Sequence, residues 1–274
     1  MSDTHITSTP QHIRVAVIGA CGRMGSATLQ MIARDPELQL VAAVDRVHAG
    51  EDAGVVAGMG PVGVSVMPGL AEAIETARPD VAVDFTVLSA AVDNIRTCLE
   101  RGVAPVVGTS GFAESTLEAI RSTCAATDTP CLVIPNFAIG AVLMMMFAAE
   151  AARYLPNCEI IEMHHDKKKD APSGTAIRTA EMIAQARSNA PVQIPQEEKY
   201  AGSRGASIRD VPIHAVRLSG YIASQEVLFG GEGERLSIRH DSTDRSSFMT
   251  GVNLSIKKVR SCSGLVVGLE HLLR

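Results

Sequence analysis

The sequence has no tryptophan, and aromatic residues make up only 3% of its 274 residues. It also lacks a basic excess, since its formal net charge is -5. A general nucleic-acid-binding protein usually carries a basic surface, so this charge balance argues against that class. It leaves room for a local anion site.

The chain also lacks paired cysteines and a long hydrophobic run. None of its six cysteines forms a CxxC pair, so we expect no structural zinc site, and their spread through apolar runs predicts free thiols in a reducing compartment. The first eleven residues are polar and do not resemble a signal peptide. The longest apolar run, 138–152, is too short to span a bilayer and predicts a core helix. We therefore expect a soluble, cytoplasmic protein.

Apolar runs of strand length alternate with helix-length segments through the first half of the chain, starting with HIRVAVIG. This alternation predicts βαβ units and a parallel sheet, with a glycine-rich loop over 49–63. Later strand-like stretches, such as IHAVRLSGYIASQEVLFG, are longer and more polar, which favours antiparallel strands with one wet face. We predict an α/β fold in which residues 1–136 plus 246–274 form a Rossmann-like doubly wound parallel sheet. Residues 137–245 would form a second α+β domain on a mixed or antiparallel sheet.

The segment VIGACGRMG places Gly19, Gly22 and Gly25 between the first strand and a helix. Glycines allow a tight turn and a close approach by a pyrophosphate, which the helix N-terminus can bind. Asp45 ends the second strand, 20 residues after Gly25, where an acid can accept hydrogen bonds from ribose hydroxyls. Arg46 beside it suits a 2′-phosphate, so the pattern predicts a dinucleotide site that tolerates either NADH or NADPH.

Two later strands end in DFT (84–86) and GTSG (108–111), and a third ends in PNF (135–137). Ligands of open parallel sheets bind beyond the carboxyl ends of the strands. We therefore expect Thr86, Gly108, Thr109 and Ser110 to line the nicotinamide end of the site, with 135–137 flanking the ring.

The segment EMHHDKKKDAPSGTA (162–176) concentrates ionisable groups before a predicted helix. Pro172 and Ser173 are suited to the first turn and to capping, and Gly174 permits close backbone approach. The helix N-terminus near Thr175, with histidines and lysines around it, predicts a site for a small acidic substrate, a dicarboxylate.

Other interpretations of this segment are weaker. His164 and His165 are neighbours on an extended strand and point to opposite sides, so we expect no shared metal. The three lysines lie between Asp166 and Asp170, which argues against a nucleic-acid patch. A solvated charged loop remains open for Lys167 and Lys169.

The segment HHDKKKDAPSGTA resembles the signature of the 4-hydroxy-tetrahydrodipicolinate reductase family, also called dihydrodipicolinate reductases. The resemblance extends in order along nearly the whole chain and includes VAVIGACGRMG, EDAG, DFT, GTSGF, PNFAIG and GERLSIRH. It implies reduction of 4-hydroxy-tetrahydrodipicolinate to tetrahydrodipicolinate by NADH or NADPH with loss of water, in the diaminopimelate route to lysine. It also implies a homotetramer built through the sheet of the second domain.

The resemblance also implies roles for individual residues. His164 would donate or accept a proton and Lys168 would donate one, while His165, Gly174 and Thr175 would bind a substrate carboxylate. The dinucleotide would be bound by the strand-end residues Gly19, Ala20, Cys21, Gly22, Arg23, Met24, Asp45, Arg46, Gly108, Thr109, Ser110, Ile134, Pro135, Asn136 and Phe137. No metal is implied. The chain departs from the family pattern at Cys21, where glycine is commoner, at Asp45, where glutamate is often found, and at Ser110, where the pattern has threonine.

Two rival functions share parts of this pattern. Another reductase of a small acid, such as an amino-acid or aldehyde dehydrogenase, would share the dinucleotide domain, but no cysteine lies at a nucleophile position beside PNF. A non-catalytic dinucleotide sensor would need the glycine turn but not the cation-rich helix start.

Overall fold

The structure is a computed structural model that describes residues 12–191 and 197–273. The polar segment 1–11, for which the sequence predicts no signal peptide, lies outside the described residues. The chain divides into two units. One comprises the chain up to Phe137 together with the chain from Met249 onward, and the other comprises Ala138–Phe248.

Over the described residues, the strands are β1 (Ile13–Ile18), β2 (Leu38–Val44), β3 (Val66–Met67), β4 (Val81–Asp84), β5 (Ala104–Val107), β6 (Cys131–Val133), β7 (Asn157–His164), β8 (Ala206–Ile208), β9 (Val211–Arg217), β10 (Ala223–Gly231), β11 (Glu234–Ser242) and β12 (Leu265–Val267). The α-helices are α1 (Arg23–Ile32), α2 (Ala53–Val56), α3 (Leu70–Ala77), α4 (Leu88–Leu99), α5 (Glu114–Thr127), α6 (Ile139–Ala151), α7 (Gly174–Ala186) and α8 (Met249–Lys258). Short 3-10 helices span Arg245–Phe248, Val259–Ser261 and Leu269–Leu272.

The first unit contains the predicted parallel sheet, with strand order β12-β6-β5-β4-β1-β2-β3. All of its paired strands run parallel. The central strands β1, β4 and β5 are almost wholly buried, as expected for a parallel sheet that is covered on both faces. The prediction of a Rossmann-like doubly wound fold is confirmed. The strand order reverses between β1 and β4, and in such folds ligands bind at this switch point.

Part of the predicted loop 49–63 forms the short helix α2. The side chain of Asp52 caps this helix by accepting hydrogen bonds from the N–H groups of Gly54 and Val55. Its carboxylate also accepts hydrogen bonds from the N–H groups of Val62 and Gly63. One carboxylate therefore organises a segment whose glycine content alone predicted a loop.

The second unit is built on a mixed sheet with strand order β11-β10-β7-β9-β8. The prediction of a mixed or antiparallel sheet is confirmed: the sheet is mixed, because β9 runs parallel to β7 while the other paired strands run antiparallel. The chain between these two strands passes through α7, and such a crossover returns it in the same direction. Buried side chains of the sheet, including Ile160, Val227 and Phe229, contribute to the core of this unit.

The apolar run 138–152 forms α6, which buries Ala141, Val142, Met144, Met145 and Ala148. Among the described residues, no helix combines the length and apolar character needed to cross a bilayer.

Candidate active site

The glycine turn follows β1 directly. Gly19 adopts a positive φ of 75°, which favours glycine. At Gly25, an added Cβ would lie 2.1 Å from the carbonyl oxygen of Gly19, so only glycine lets α1 pack this closely on the turn. Helix α1 begins at Arg23 without a side-chain cap and without an acid in its first turn. Its first N–H groups therefore have no acceptor within the helix, and the turn suits a pyrophosphate.

The carboxylate of Asp45 lies between this turn and the end of β2. Its Oδ2 accepts a hydrogen bond from the N–H of Cys21 at 3.0 Å, and its Oδ1 accepts one from the N–H of Val47 at 3.0 Å. Burial, followed by the charge of Asp45, raises the pKa of the Cys21 thiol to about 11. Cys21 is therefore a neutral thiol at physiological pH. Arg46, which follows Asp45, is exposed.

A hydrogen bond links the segments that follow β4 and β5. The hydroxyl of Thr109 donates a hydrogen bond to the carbonyl oxygen of Thr86 at 2.7 Å. The rings of Phe85 and Phe137 pack edge to face with centroids 5.8 Å apart. An added Cβ at Gly108 would lie 2.7 Å from the Phe85 ring, so glycine lets this aromatic pair pack against the strand end.

The predicted cofactor residues differ in how far their side chains are exposed to solvent. Gly108 and Thr109 are half-buried, and Ser110 and Pro135 are exposed. The side chains of Ile134 and Phe137 are buried, so these residues can face a ligand only with their backbone or, for Phe137, a ring edge. Asn136 is half-buried. Whether these residues bind a cofactor remains a prediction.

In the second unit, β7 ends at His164 and α7 begins at Gly174. Ser173 caps the helix, since its hydroxyl accepts a hydrogen bond from the N–H of Ala176 at 3.2 Å. The placement of Pro172 in the first turn is wrong, because Pro172 precedes this cap. No acid lies in the first turn of α7, so the electrostatics of its N-terminus favour an anion.

Glu162 is the centre of a hydrogen-bond network in this unit. Its side chain is fully buried on β7 and accepts a hydrogen bond from Nδ1 of His164 at 2.6 Å. Arg217 donates two hydrogen bonds to it, at 2.9 and 2.7 Å. The backbone N–H of Ser173 donates a fourth, at 3.1 Å. One carboxylate thus joins the end of β7 to the start of α7.

The charged partners of Glu162 and its burial shift the pKa of its carboxyl group in opposite directions. Burial alone would raise its pKa, but the hydrogen bonds from His164 and Arg217 outweigh burial and lower the pKa to about 2. The carboxylate is therefore ionised at physiological pH, and it can act only as a hydrogen-bond acceptor.

Lys168 differs from the lysines on either side of it. Its Nζ lies 2.6 Å from Oδ2 of Asp170, and its side chain is only 20% exposed. This hydrogen bond lowers the pKa of Asp170. Lys167 and Lys169 are exposed, in keeping with a solvated loop.

In the described ranges, His165 has an unpaired ring nitrogen, and Gly174 has open space beside its Cα. Nδ1 of His165 is buried and has no hydrogen-bond partner among the described residues. A Cβ added to Gly174 would meet nothing within 4 Å. The carbonyl oxygen of Thr175 accepts a hydrogen bond from the hydroxyl of Thr179. Over the part of the chain that the structure describes, no three His, Cys, Asp or Glu side chains are grouped to hold a metal ion.

Sequence reasoning assigned no role to Glu162, Arg217 or Asp170. Glu162 lies two residues before His164, and alternate residues of a strand share a face, so this spacing could have indicated the pair. Arg217 is separated from Glu162 by 55 residues, and nothing in the sequence indicates their contact.

Family models match both parts of the chain. "Dihydrodipicolinate reductase, N-terminus" matches residues 13–137, and "Dihydrodipicolinate reductase, C-terminus" matches residues 140–273. The chain belongs to the dihydrodipicolinate reductase family. The resemblance found in the sequence is therefore confirmed.

Relatives in this family match over almost their whole length. The 4-hydroxy-tetrahydrodipicolinate reductase of Moorella thermoacetica is 51% identical over 262 residues, covering 95% of this chain and 98% of the relative. The enzyme of the same name from Syntrophomonas wolfei is 49% identical over 267 residues, covering 96% and 99%.

Solved structures agree with the fold. Dipicolinate-bound dihydrodipicolinate reductase from Paenisporosarcina sp. TG-14 is 43% identical, with a TM-score of 0.84 and coverage of 95% of this chain and 99% of that one. An amine dehydrogenase from Mycobacterium smegmatis, 16% identical with a TM-score of 0.65 and coverage of 93% and 94%, shares the fold.

Proposed function

We propose that this member of the dihydrodipicolinate reductase family reduces 4-hydroxy-tetrahydrodipicolinate to tetrahydrodipicolinate, with NADH or NADPH as reductant and loss of water. The reaction is a step of the diaminopimelate route to lysine. Family membership over residues 13–137 and 140–273 supports the activity. The observation that carries the site assignment is the Glu162 network, which joins His164 to Ser173 at the start of α7, a helix with no acid in its first turn.

A substrate carboxylate would bind at the N-terminus of α7. Gly174 would let the carboxylate approach the backbone, because the space beside its Cα is open. Thr175 lies in the first turn, and His165 would contribute its buried, unpartnered Nδ1. Such an arrangement neutralises the carboxylate with N–H groups and the helix dipole.

The chemistry requires a proton donor beside the ring. When bound, the reduced nicotinamide supplies the hydride that reaches C4 of the substrate. Negative charge then develops on the ring nitrogen and C3, where cations and a proton donor lower the barrier. Lys168 would donate the proton, and His164 would donate or accept one. A histidine suits proton transfer in either direction near neutral pH.

The dinucleotide would bind at the glycine turn of the first unit, with its pyrophosphate at the start of α1. Gly19 to Met24, Asp45, Arg46, Gly108 to Ser110 and Ile134 to Phe137 are the residues we assign to it. Asp45 suits the free ribose of NADH, and exposed Arg46 suits the 2′-phosphate of NADPH. We therefore propose that both cofactors are used.

We also propose a cytoplasmic homotetramer built through the sheet of the second unit. Ile161, Val216 and Leu228 alternate along their strands with core residues and remain only half-buried in one chain. All six cysteines are free, which suits a reducing compartment. Light scattering after size-exclusion chromatography tests the assembly, and a monomer would overturn it.

A coupled assay tests the activity. The substrate is made in situ from pyruvate and aspartate semialdehyde by the preceding synthase, and loss of reduced nicotinamide absorbance is followed with NADH and with NADPH. We expect oxidation that requires both the synthase and this protein. Cofactor binding without oxidation would overturn the proposal and favour a dinucleotide sensor or a reductase of another acid.

A further inference from the structure

We propose that Glu162 and Arg217 are positioning residues that set which nitrogen of His164 faces the substrate and how readily that ring takes up a proton. The inference rests on the proposed function, in which His164 exchanges a proton with the substrate. Neither residue is placed in contact with the substrate, so their effect passes through His164.

Glu162 determines the tautomer of His164. Nδ1 of the imidazole lies 2.6 Å from the Glu162 carboxylate. An ionised carboxylate cannot donate a hydrogen bond, so Nδ1 must carry the proton. In the neutral ring, Nε2 then holds the lone pair and is the nitrogen that can accept a proton. Protonation at Nε2 converts the same nitrogen into a donor, so one orientation serves both directions of transfer.

Glu162 also fixes the ring relative to the carboxylate-binding helix start. It accepts a hydrogen bond from the N–H of Ser173, the residue that caps α7. The same side chain therefore holds the imidazole and the backbone next to Gly174. A shift of this carboxylate would therefore move the proton-transfer group and the proposed substrate anchor together.

Arg217 controls the charge that His164 experiences. It binds Glu162 through two nitrogens and is 19% exposed, so it compensates the negative charge of the buried carboxylate. Arg217 also donates a hydrogen bond to the carbonyl oxygen of Asp170 at 2.7 Å. Asp170 in turn binds Lys168, so the network reaches the second proposed proton donor.

The charged groups of the network around His164 come from three parts of this unit. Glu162 belongs to β7, Arg217 to β9, and Asp170 and Lys168 to the segment that leads to α7. The residue opposite Glu162 on β10 is Gln225, which is uncharged. Removing the charge of Glu162 or of Arg217 should therefore displace the protonation of His164 in opposite directions.

The same sheet supplies a matched control. Glu159, also on β7, accepts hydrogen bonds from His214 and Arg204, so it repeats the combination of carboxylate, imidazole and guanidinium. Its side chain is 35% exposed, and it binds the other imidazole nitrogen, Nε2, of His214. A Glu159→Gln variant removes an equivalent charge without touching His164.

The first test reads the tautomer in the free protein. Two-bond ¹H–¹⁵N spectra of protein labelled at its eight histidines would be assigned for His164 with a His164→Gln variant. We expect the neutral ring to carry its proton on Nδ1. A neutral ring protonated on Nε2 would overturn the inference. No substrate or variant of the network is needed, so this result is independent of whether the proposed reaction is correct.

The second test compares pH profiles of kcat/KM. Removing the neighbouring anion in Glu162→Gln disfavours the protonated imidazole, so we expect the limb set by His164 to move to lower pH by about one unit or more. In Arg217→Met the uncompensated carboxylate favours the protonated imidazole, so we expect a move to higher pH. Glu159→Gln should leave the limb in place.

Folding is checked by the Tm of each variant and by NADH binding. A double variant, Glu162→Gln with Arg217→Met, removes both charges and should bring the limb back toward its original pH. Two results would overturn the inference and leave Glu162 and Arg217 as structural support only. One is a loss of activity in the single variants without a shift of their pH profiles, and the other is a shift of both profiles in the same direction. An inactive wild-type protein would instead overturn the proposed function.

Discussion

The carboxylate of Asp45 accepts a hydrogen bond from the backbone N–H of Cys21, with 3.0 Å between Oδ2 and the nitrogen. This bond joins the end of β2 to the glycine turn after β1. The other oxygen is held by the N–H of Val47. The acid expected to contact a ribose is thus held in a fixed position relative to the turn expected to contact the pyrophosphate.

Cofactor choice should respond to this residue and its neighbour. In Asp45→Asn, loss of the negative charge should weaken NADH use and relieve repulsion of a 2′-phosphate. We expect the ratio of kcat/KM for NADPH over NADH to rise about tenfold, equivalent to about 1.4 kcal/mol. Arg46→Ala should lower the same ratio. Arg34→Ala, which removes another exposed arginine of this unit, is the control and should leave it unchanged.

Lys168 and its neighbour Lys167 should differ in their effect on kcat. Lys168→Ala and His164→Ala should each lower kcat by about 100-fold or more, the usual effect of losing an acid–base group. Lys167→Ala removes the same charge from an exposed position and should leave kcat within about twofold of the wild type, as expected for a solvated side chain. Near-normal turnover in Lys168→Ala would remove that lysine from the chemistry.

The start of α7 should affect substrate binding more than turnover. Gly174→Ala places a methyl group in space that is open in the protein but that we assign to the substrate carboxylate. We expect a raised KM for the substrate without a loss of Tm, because alanine is a better helix former than glycine. Thr175→Val should likewise act mainly on KM. A loss of kcat at unchanged KM in these variants would contradict a binding role.

Acid stability of the first unit should depend on Asp35. Its carboxylate accepts a hydrogen bond from Asn253 of α8 at 2.6 Å and pairs with Lys257 at 2.9 Å. Burial opposes ionisation, but these partners outweigh it and lower the pKa of Asp35 from 3.8 to about 2. Because the pKa in the folded state is depressed, the stabilisation is present above pH 4 and is lost as the pH falls through 2.

Asp35→Asn should therefore lower the free energy of unfolding at pH 7 by about 2 kcal/mol, and its difference from the wild type should shrink toward pH 2. Denaturant titrations at several pH values measure this. Asp93→Asn, which breaks the exposed pair with Arg96, should have little effect at any pH. A constant difference between Asp35→Asn and the wild type down to pH 2 would contradict the assignment.

The sequence predicted those elements whose signal is local. Buried runs such as Ile13–Ile18 and Val81–Asp84 have the apolar length of a parallel strand, and Ser173 has the side chain of a helix cap. Helix α2 was not predicted, because it depends on Asp52 binding N–H groups up to eleven residues away. Strand β12 was not predicted either, because its only strand neighbour among the described residues is β6, which lies far back in the chain.

In the candidate site, too, the sequence predicted the features with a local signal and missed those that depend on distant contacts. The motif around His164 and Gly174 is contiguous and was found by its residue types. The contact between Glu162 on β7 and Arg217 on β9 depends on the pairing of these two strands, and no local pattern encodes that pairing. Asp45 was found by its spacing, but its bond to the turn required the backbone geometry.

The second unit is inserted between β6 and α8 of the first. A ribosome therefore finishes every residue of the inserted unit before it makes α8 and β12 of the first unit, and β12 is the strand that completes the sheet of that unit. During synthesis the proposed substrate-binding unit has its whole sequence available first. The unit that begins the chain is the last to have all of its parts.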